Sequence, residues 1–167
     1  MEKYIFSVIA AALLTGAAAS AFANGFALNE QSASGLGNAF AGGGAIAEDA
    51  STIFLNPAGM TYLPDNQLVM AAHAIRPSAE FNNSGSHSSG GLPTLGGGGG
   101  DAGDWAFAPN IYFAKALNNN VRLGVGVNVP FAYKTDYDKE WVGRYQALKT
   151  ELQTININPS IAFKVSD

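Results

Sequence analysis

Residues 121–129 read Val-Arg-Leu-Gly-Val-Gly-Val-Asn-Val, and this stretch decides the class of fold. Valine and leucine occupy every second position, whereas arginine, glycine and asparagine occupy the positions between them. Because successive side chains of a β-strand point to opposite faces, this alternation predicts a strand with one apolar face and one small or polar face. Such a strand suits the wall of a barrel with lipid on one side and a lumen on the other.

Three further segments alternate in the same way and predict three more strands. They are residues 67–76, 105–114 and 154–165. The first is the weakest of the three, because Leu68 to Ala72 is apolar on both faces. Each segment is close to the roughly 9 to 11 residues that a tilted membrane strand requires.

The lengths of the connections distinguish two classes of β protein. Strands of a soluble sandwich or barrel also alternate, so periodicity alone leaves that class open. Here a long connection (77–104), a short one (117–120) and a second long one follow in order. Outer-membrane barrels have this order, since their long outer loops alternate with tight periplasmic turns. The first loop contains Gly96 to Gly100, which predicts a flexible surface loop.

Composition narrows the class further. Hydrophobic residues make up 47% of the chain and charged residues 13%, yet after residue 23 no apolar run approaches the length of a membrane helix. A chain of this kind would enter a bilayer as strands. The net charge of −4 argues against a nucleic-acid partner, and the absence of cysteine excludes disulfides and a lipid-bearing cysteine.

Residues 1–23 have the features of a signal peptide. Lys3 precedes an apolar stretch, and Ala21-Phe22-Ala23 forms a cleavage site, so the mature protein is expected to begin at Asn24. The alternative is a transmembrane anchor, because the stretch is nearly long enough to span a bilayer. Its alanine content, the lack of a basic stop-transfer flank and the cleavage site favour the signal peptide.

Residues 24–60 are rich in glycine and other small residues and hold four short motifs in order. These are Asn24-Gly25-Phe26-Ala27-Leu28-Asn29-Glu30, Ser34-Gly35-Leu36-Gly37, Ala47-Glu48-Asp49-Ala50 and Asn56-Pro57-Ala58. The series resembles the amino-terminal plug of the outer-membrane long-chain fatty acid transporter family (FadL). Residues 109–113, 141–145 and 154–160 extend the resemblance more loosely along the chain.

The resemblance implies an all-β membrane protein, an antiparallel transmembrane β-barrel of fourteen strands with an amino-terminal, partly helical plug. It divides the chain into a signal peptide (1–23), a plug (24–64) and the first four barrel strands (65–167). Four strands cannot close a barrel, and an open edge in lipid would leave unpaired N–H and C=O groups. We therefore expect the sequence to be a fragment of a longer chain.

The resemblance also implies candidate gating residues. The first plug residues would lie near the bound lipid, Asn-Pro-Ala would fix the plug where it meets the wall, and a kink in the third strand would open the wall sideways. The last two have alternatives: Asn-Pro-Ala is also consistent with an ordinary turn, and Pro130 with the start of an outer loop. The candidates for ligand binding and gating are Phe26, Leu28, Asn56, Pro57, Ala58, Asn128 and Pro130.

The sequence offers no catalytic or metal-binding pattern. His73 and His87 are the only histidines and lack metalloprotease spacing. Residues 35–40 lack the third glycine of a dinucleotide turn. The adjacent carboxylates Glu48 and Asp49 are typical of a helix end or a solvated pair rather than of acid–base chemistry. We expect neither an enzyme nor a bound cofactor or metal.

The predicted function is passive, ligand-gated diffusion of long-chain fatty acids or similar hydrophobic compounds across the Gram-negative outer membrane. The expected partners are this ligand, outer-membrane lipid and lipopolysaccharide, and the complete barrel is expected to be monomeric. One alternative is a channel of the same family for hydrocarbons or aromatic compounds. The other is a structural or adhesive surface protein that contributes four strands to an oligomeric barrel, although the sequence has no heptad run.

Overall fold

A computed structural model of the chain describes residues 27–87 and 90–165. They form a four-stranded antiparallel sheet, a two-stranded hairpin and a helical segment that precedes both. The expected signal peptide and Phe26 lie outside the described residues. In the described ranges, no helix has the length and apolar character needed to cross a membrane.

The helical segment consists of three short helices. They are α1 (Ala33–Gly37), α2 (Thr52–Leu55) and a 3₁₀ helix (Pro57–Tyr62). Ser32 caps α1, because its Oγ accepts the N–H of Gly35 at 2.9 Å. Pro57 begins the 3₁₀ helix, where its fixed φ is favourable and its missing N–H costs nothing. Helices this short depend on packing for their stability, so the segment folds against the sheet.

The described residues form six strands. They are β1 (Gln67–Ile75), β2 (Ala106–Ala116), β3 (Val121–Asn128), β4 (Ala132–Asp136), β5 (Lys149–Gln153) and β6 (Asn156–Phe163). Four of the six strands, β1, β2, β3 and β6, follow the predicted segments to within a few residues. The large sheet has the order β1-β2-β3-β6, with every neighbouring pair antiparallel. Strands β4 and β5 pair with each other as a separate hairpin.

The two faces of the large sheet differ as the alternation predicts. Leu123 and Val125 are exposed on the outer face, whereas Gly124 and Gly126 approach the plug. The core lies between the inner face and the plug and contains Ala50, Ile53, Met60, Leu63, Tyr112, Ala114 and Ala162. Large apolar side chains, including Phe107, Ile157 and Phe163, stay exposed on the other face. A wall with lipid on its outside has this distribution.

Two features of the outer connections are not predicted by the sequence. The hairpin β4–β5 lies within the connection that follows β3, and its polar strands lack the alternation that marks the other four. The first loop, which is predicted to be flexible, contacts the second outer connection through its glycine run: the N–H of Gly97 donates to Glu140 O at 3.1 Å, and the N–H of Asp138 donates to Gly99 O at 3.1 Å. A Cβ at Gly99 would lie 2.8 Å from the Trp141 ring, so the glycine permits close packing there.

Candidate functional site

The wall is interrupted just after β3. The ladder between β3 and β6 ends at Asn128↔Asn156, and the hairpin ladder begins at Ala132↔Gln153. Pro130 lies in the interval and has no N–H to give to a ladder. The ladder between β2 and β3 ends even earlier, at Ile111↔Val127. The structure therefore places the predicted site residues Asn128 and Pro130 at a break in the sheet.

The first described residues of the plug occupy this break. The N–H of Leu28 donates to Pro130 O at 2.9 Å, and Ala27 forms an antiparallel bridge with Phe131. The buried Gln31 side chain donates to Val129 O at 3.1 Å. These contacts give partners to carbonyl groups that the neighbouring strand leaves unpaired. Unpaired backbone groups in a bilayer cost several kcal/mol each, so the plug contributes to closing the wall.

Strand β2 holds the same plug segment from the other side. Asn110, which is completely buried on the inner face, donates from Nδ2 to Glu30 O at 2.7 Å. Beside it, Asn128 donates from Nδ2 to the hydroxyl of Tyr112 at 3.1 Å. The amide oxygens of Gln31, Asn110 and Asn128 have no hydrogen-bond partner within the described part of the chain. Unpaired buried acceptors are costly, so these three oxygens reduce the stability of the junction.

Of these polar side chains, the sequence indicated only Asn128. Gln31, Asn110 and Tyr112 were missed, because their partners are distant in the chain. One signal was available in β2, where Asn110 and Tyr112 interrupt the small residues of the inner face. A polar or large side chain on a face of alanines marks a position with a specific contact.

The Asn56-Pro57-Ala58 motif lies inside the plug. Asn56 donates from Nδ2 to Gly44 O at 2.8 Å, and its own carbonyl accepts from the Thr52 hydroxyl at 3.0 Å. Pro57 and Ala58 begin the 3₁₀ helix, whose Met60 contacts the wall. The motif thus joins two parts of the plug and precedes the wall contact by less than one turn.

A carboxylate joins the first helix of the plug to the start of the second. Asp49 accepts from the Ser34 hydroxyl at 2.7 Å and from the backbone N–H of Ser51 at 2.8 Å. Burial raises the pKa of Asp49, but the hydrogen bonds from Ser51 and Ser34 outweigh burial, so its pKa lies below the usual value. The charged form therefore stabilises the folded plug.

A cavity of about 460 Å³ opens beside the residues that close the wall. Such a volume lies within the range of about 300 to 1,000 Å³ that is common for ligand pockets. Its lining combines apolar side chains with a short polar stretch and consists of Leu28, Asn29, Glu30, Gln31, Leu36, Ala39, Phe40, Phe54 and Leu55. Leu28, a predicted ligand contact, is therefore at the cavity and at the break.

One side of the cavity has an unusual backbone. Ala39 and Phe40 have φ values of 55° and 56°, in the left-handed region that side chains other than glycine rarely adopt. The Phe40 ring lies against Gly35, where a Cβ would clash with it. Strained backbone of this kind persists where the surrounding structure requires it, and it is enriched at ligand sites.

Comparison with known proteins agrees with this arrangement. Residues 14–167 match the model of a family described as outer membrane protein transport protein (OMPP1/FadL/TodX). The chain belongs to this family. It is 37% identical to outer membrane protein P1 of Haemophilus influenzae over its whole length, and 32% identical to a long-chain fatty acid transport protein of Escherichia coli over 99% of its length.

A solved structure shows the same fold. The crystal structure of a Pseudomonas aeruginosa FadL homologue superposes with a TM-score of 0.80 and 26% identity over 86% of this chain. The sheet is thus part of a FadL-type antiparallel barrel with a partly helical plug. The chain spans 38% and 36% of the two relatives named above and 35% of the solved FadL homologue.

Family membership establishes the compartment and the broad class. The FadL family consists of outer-membrane transport proteins, and the relatives come from Gram-negative bacteria, so the chain is an outer-membrane protein. The described residues contain no group of three or more side chains arranged to hold a metal ion.

Proposed function

We propose that this chain is the gate-bearing part of an outer-membrane transporter that admits long-chain fatty acids or related hydrophobic compounds by ligand-gated passive diffusion. One observation carries the proposal: residues 27–31 close the break after β3, and four of these five residues also line the cavity. A ligand in the cavity would contact the same segment that closes the wall. The relative named as a long-chain fatty acid transport protein supports the substrate class.

Burial of a few methylene groups offsets the free energy that closes the break. Three hydrogen bonds hold the segment to the wall: Leu28 to Pro130, Gln31 to Val129 and Asn110 to Glu30. At about 0.5 to 1.5 kcal/mol each, they contribute roughly 1.5 to 4.5 kcal/mol. Burial of one CH₂ group contributes about 0.8 kcal/mol, so roughly two to six methylenes offset the closure. A long acyl chain is therefore sufficient to displace the segment if it favours the open state.

The negative charge at the cavity favours a second candidate substrate, an uncharged hydrocarbon. Among the described residues that line the cavity, Glu30 is the only ionisable side chain, and none is a lysine or arginine. A carboxylate head group beside Glu30 would be repelled, so the cavity suits an acyl tail or an uncharged hydrocarbon. No observation favours the structural or adhesive alternative.

A reversible cross-link tests the proposal in a complete barrel. These 167 residues contain no cysteine, so the pair Ala27→Cys and Phe131→Cys, introduced at the antiparallel bridge, has no competing thiol within them. Oxidation should stop uptake of a labelled long-chain fatty acid, and reduction should restore it. A long-chain alcohol and an alkane, measured in parallel, show whether the head group matters.

The matched control is the pair Leu68→Cys and Phe113→Cys, which are partners on the outer face of β1 and β2. This cross-link joins strands that stay paired, so uptake should not change. Wild-type uptake by the fully oxidised 27/131 variant would refute gating by residues 27–31.

A further inference from the structure

We propose that Gly124 and Gly126 are positioning residues that fix the second half of the plug against the wall. The anchor segment, residues 50–63, stays in place while residues 27–31 move. This proposal rests on the proposed function for the movement of residues 27–31, but not for the contact that fixes the anchor segment.

The two glycines leave the space that two plug side chains fill. Ile53 and Met60 are completely buried against β3. A Cβ at Gly124 would lie 2.5 Å from Met60 Sδ and 2.8 Å from Ile53 Cδ1. Glycine weakens the interior of a strand, so its presence at such positions marks a close approach by another part of the chain.

The second glycine extends the contact along the strand. A Cβ at Gly126 would lie 3.3 Å from Ile53 Cγ2 and 3.0 Å from the Tyr112 ring. Tyr112 is itself completely buried and belongs to the same cluster. Ile53 therefore lies over both glycines, and its position along β3 is set by the two sites that lack a side chain.

Strand β6 adds a polar contact to the same residue. Asn158 pairs with Gly126 across the ladder, and its Nδ2 donates to Ile53 O at 3.2 Å. The side chain of Ile53 thus contacts β3 while its backbone is bound by β6. No displacement of this segment along the wall preserves both contacts.

The two halves of the plug are held by different forces. The anchor segment buries large apolar side chains, whereas Leu28 is only half-buried and residues 27–31 are held mainly by hydrogen bonds. A ligand can replace hydrogen bonds at an opening at little cost. A ligand does not reproduce the close packing of Ile53 and Met60 against the two glycines.

The first test is the variant Gly124→Ala in a complete barrel, with ion conductance in planar bilayers as the readout. Overpacking of this size should raise the population of displaced plug, and hence the leak, by roughly 5- to 30-fold. Gly44→Ala is the matched control, because nothing lies within 4 Å of a Cβ at Gly44. The amount of folded barrel, measured by heat-modifiable gel mobility, should be equal in both variants.

A compensating background distinguishes a positioning role of Gly124 from a general loss of stability in Gly124→Ala. In the background Ile53→Val, Met60→Ala, the two atoms nearest to the new methyl group are absent, so Gly124→Ala should lower the leak. An equal rise in both backgrounds, or a leak no larger than that of Gly44→Ala, would overturn the proposal.

A cross-link tests the anchor in the natural glycine background. Cysteines at Met60 and Ser160, joined by a short bifunctional thiol reagent, should leave fatty acid uptake unchanged, because Ser160 is the ladder partner of Gly124. Loss of uptake would show that the anchor segment must move and would overturn the proposal. The failures are distinguishable: the 27/131 cross-link tests the gate by uptake, whereas the glycine variants test the anchor by leak.

Discussion

Replacing Val125 with arginine measures whether the outer face of β3 lies in lipid. Val125 is exposed on that face, between its ladder partners Phe113 and Pro159. It is four residues from Val121, or about 13 Å along the strand and about 9 Å along the membrane normal at a tilt of roughly 45°. The apolar band of an outer-membrane barrel is about 25 Å tall, so Val125 lies near its middle. Arginine there should cost roughly 2 to 4 kcal/mol.

The assay is urea-induced unfolding of the complete barrel in lipid vesicles. Val121→Arg is the matched control, because it lies on the same face next to the short turn and should cost only about 0 to 1 kcal/mol. The difference between the two free energies of unfolding removes effects common to both. A cost for Val125→Arg that does not exceed the cost for Val121→Arg would refute the outward orientation of this face.

Three other predictions concern the leader and the plug. Mass analysis of the exported protein should find a mature amino terminus at Asn24, and a retained Met1 in the membrane fraction would contradict cleavage. Gln31→Ala leaves carbonyl groups of the break unpaired, at a cost of about 1 to 3 kcal/mol. Residues 27–31 should then leave the wall more often, so a thiol reagent should modify a cysteine at position 27 faster. An unchanged rate of modification would count against the contact. The pKa of Asp49 is lowered by folding, so its contribution is present above the unfolded value of about 3.9 and is lost as pH falls through the lower folded value. Leak should therefore rise only at strongly acidic pH, and Asp49→Asn should remove this pH dependence.

The alternation of side chains predicted most of the wall, because burial on one face imposes a period of two. It placed Gly124 and Gly126 on the inner face, and Pro130 indicated the end of β3. The polar hairpin was missed, because neither of its strands has an apolar face. The contacts of the glycine run in the first loop were missed for a different reason: a sequence does not distinguish glycine that permits flexibility from glycine that permits contact with Trp141.

The candidate site was harder to predict than the wall. Gln31 and Val129 are 98 residues apart, and no local pattern reports such a pair. The sequence of β3 alone likewise does not explain its two glycines, because they are required by the side chains of Ile53 and Met60 that pack on them. The motif Asn56-Pro57-Ala58 was recognisable, but its contacts within the plug required the structure.

The distance in sequence between the plug and its binding surface has a consequence for biogenesis. The plug precedes its partners in β3 and β6 along the chain: Asn158 follows Ile53 by 105 residues. Adjacent strands are separated by fewer residues in sequence than the plug is from β6. Docking of the plug therefore closes a longer loop at a higher entropic cost, so the plug should dock after the strands pair. Until then, Ile53 and Met60 have no surface to cover them. The segment that later blocks the lumen is therefore, before it docks, an element with two exposed apolar side chains.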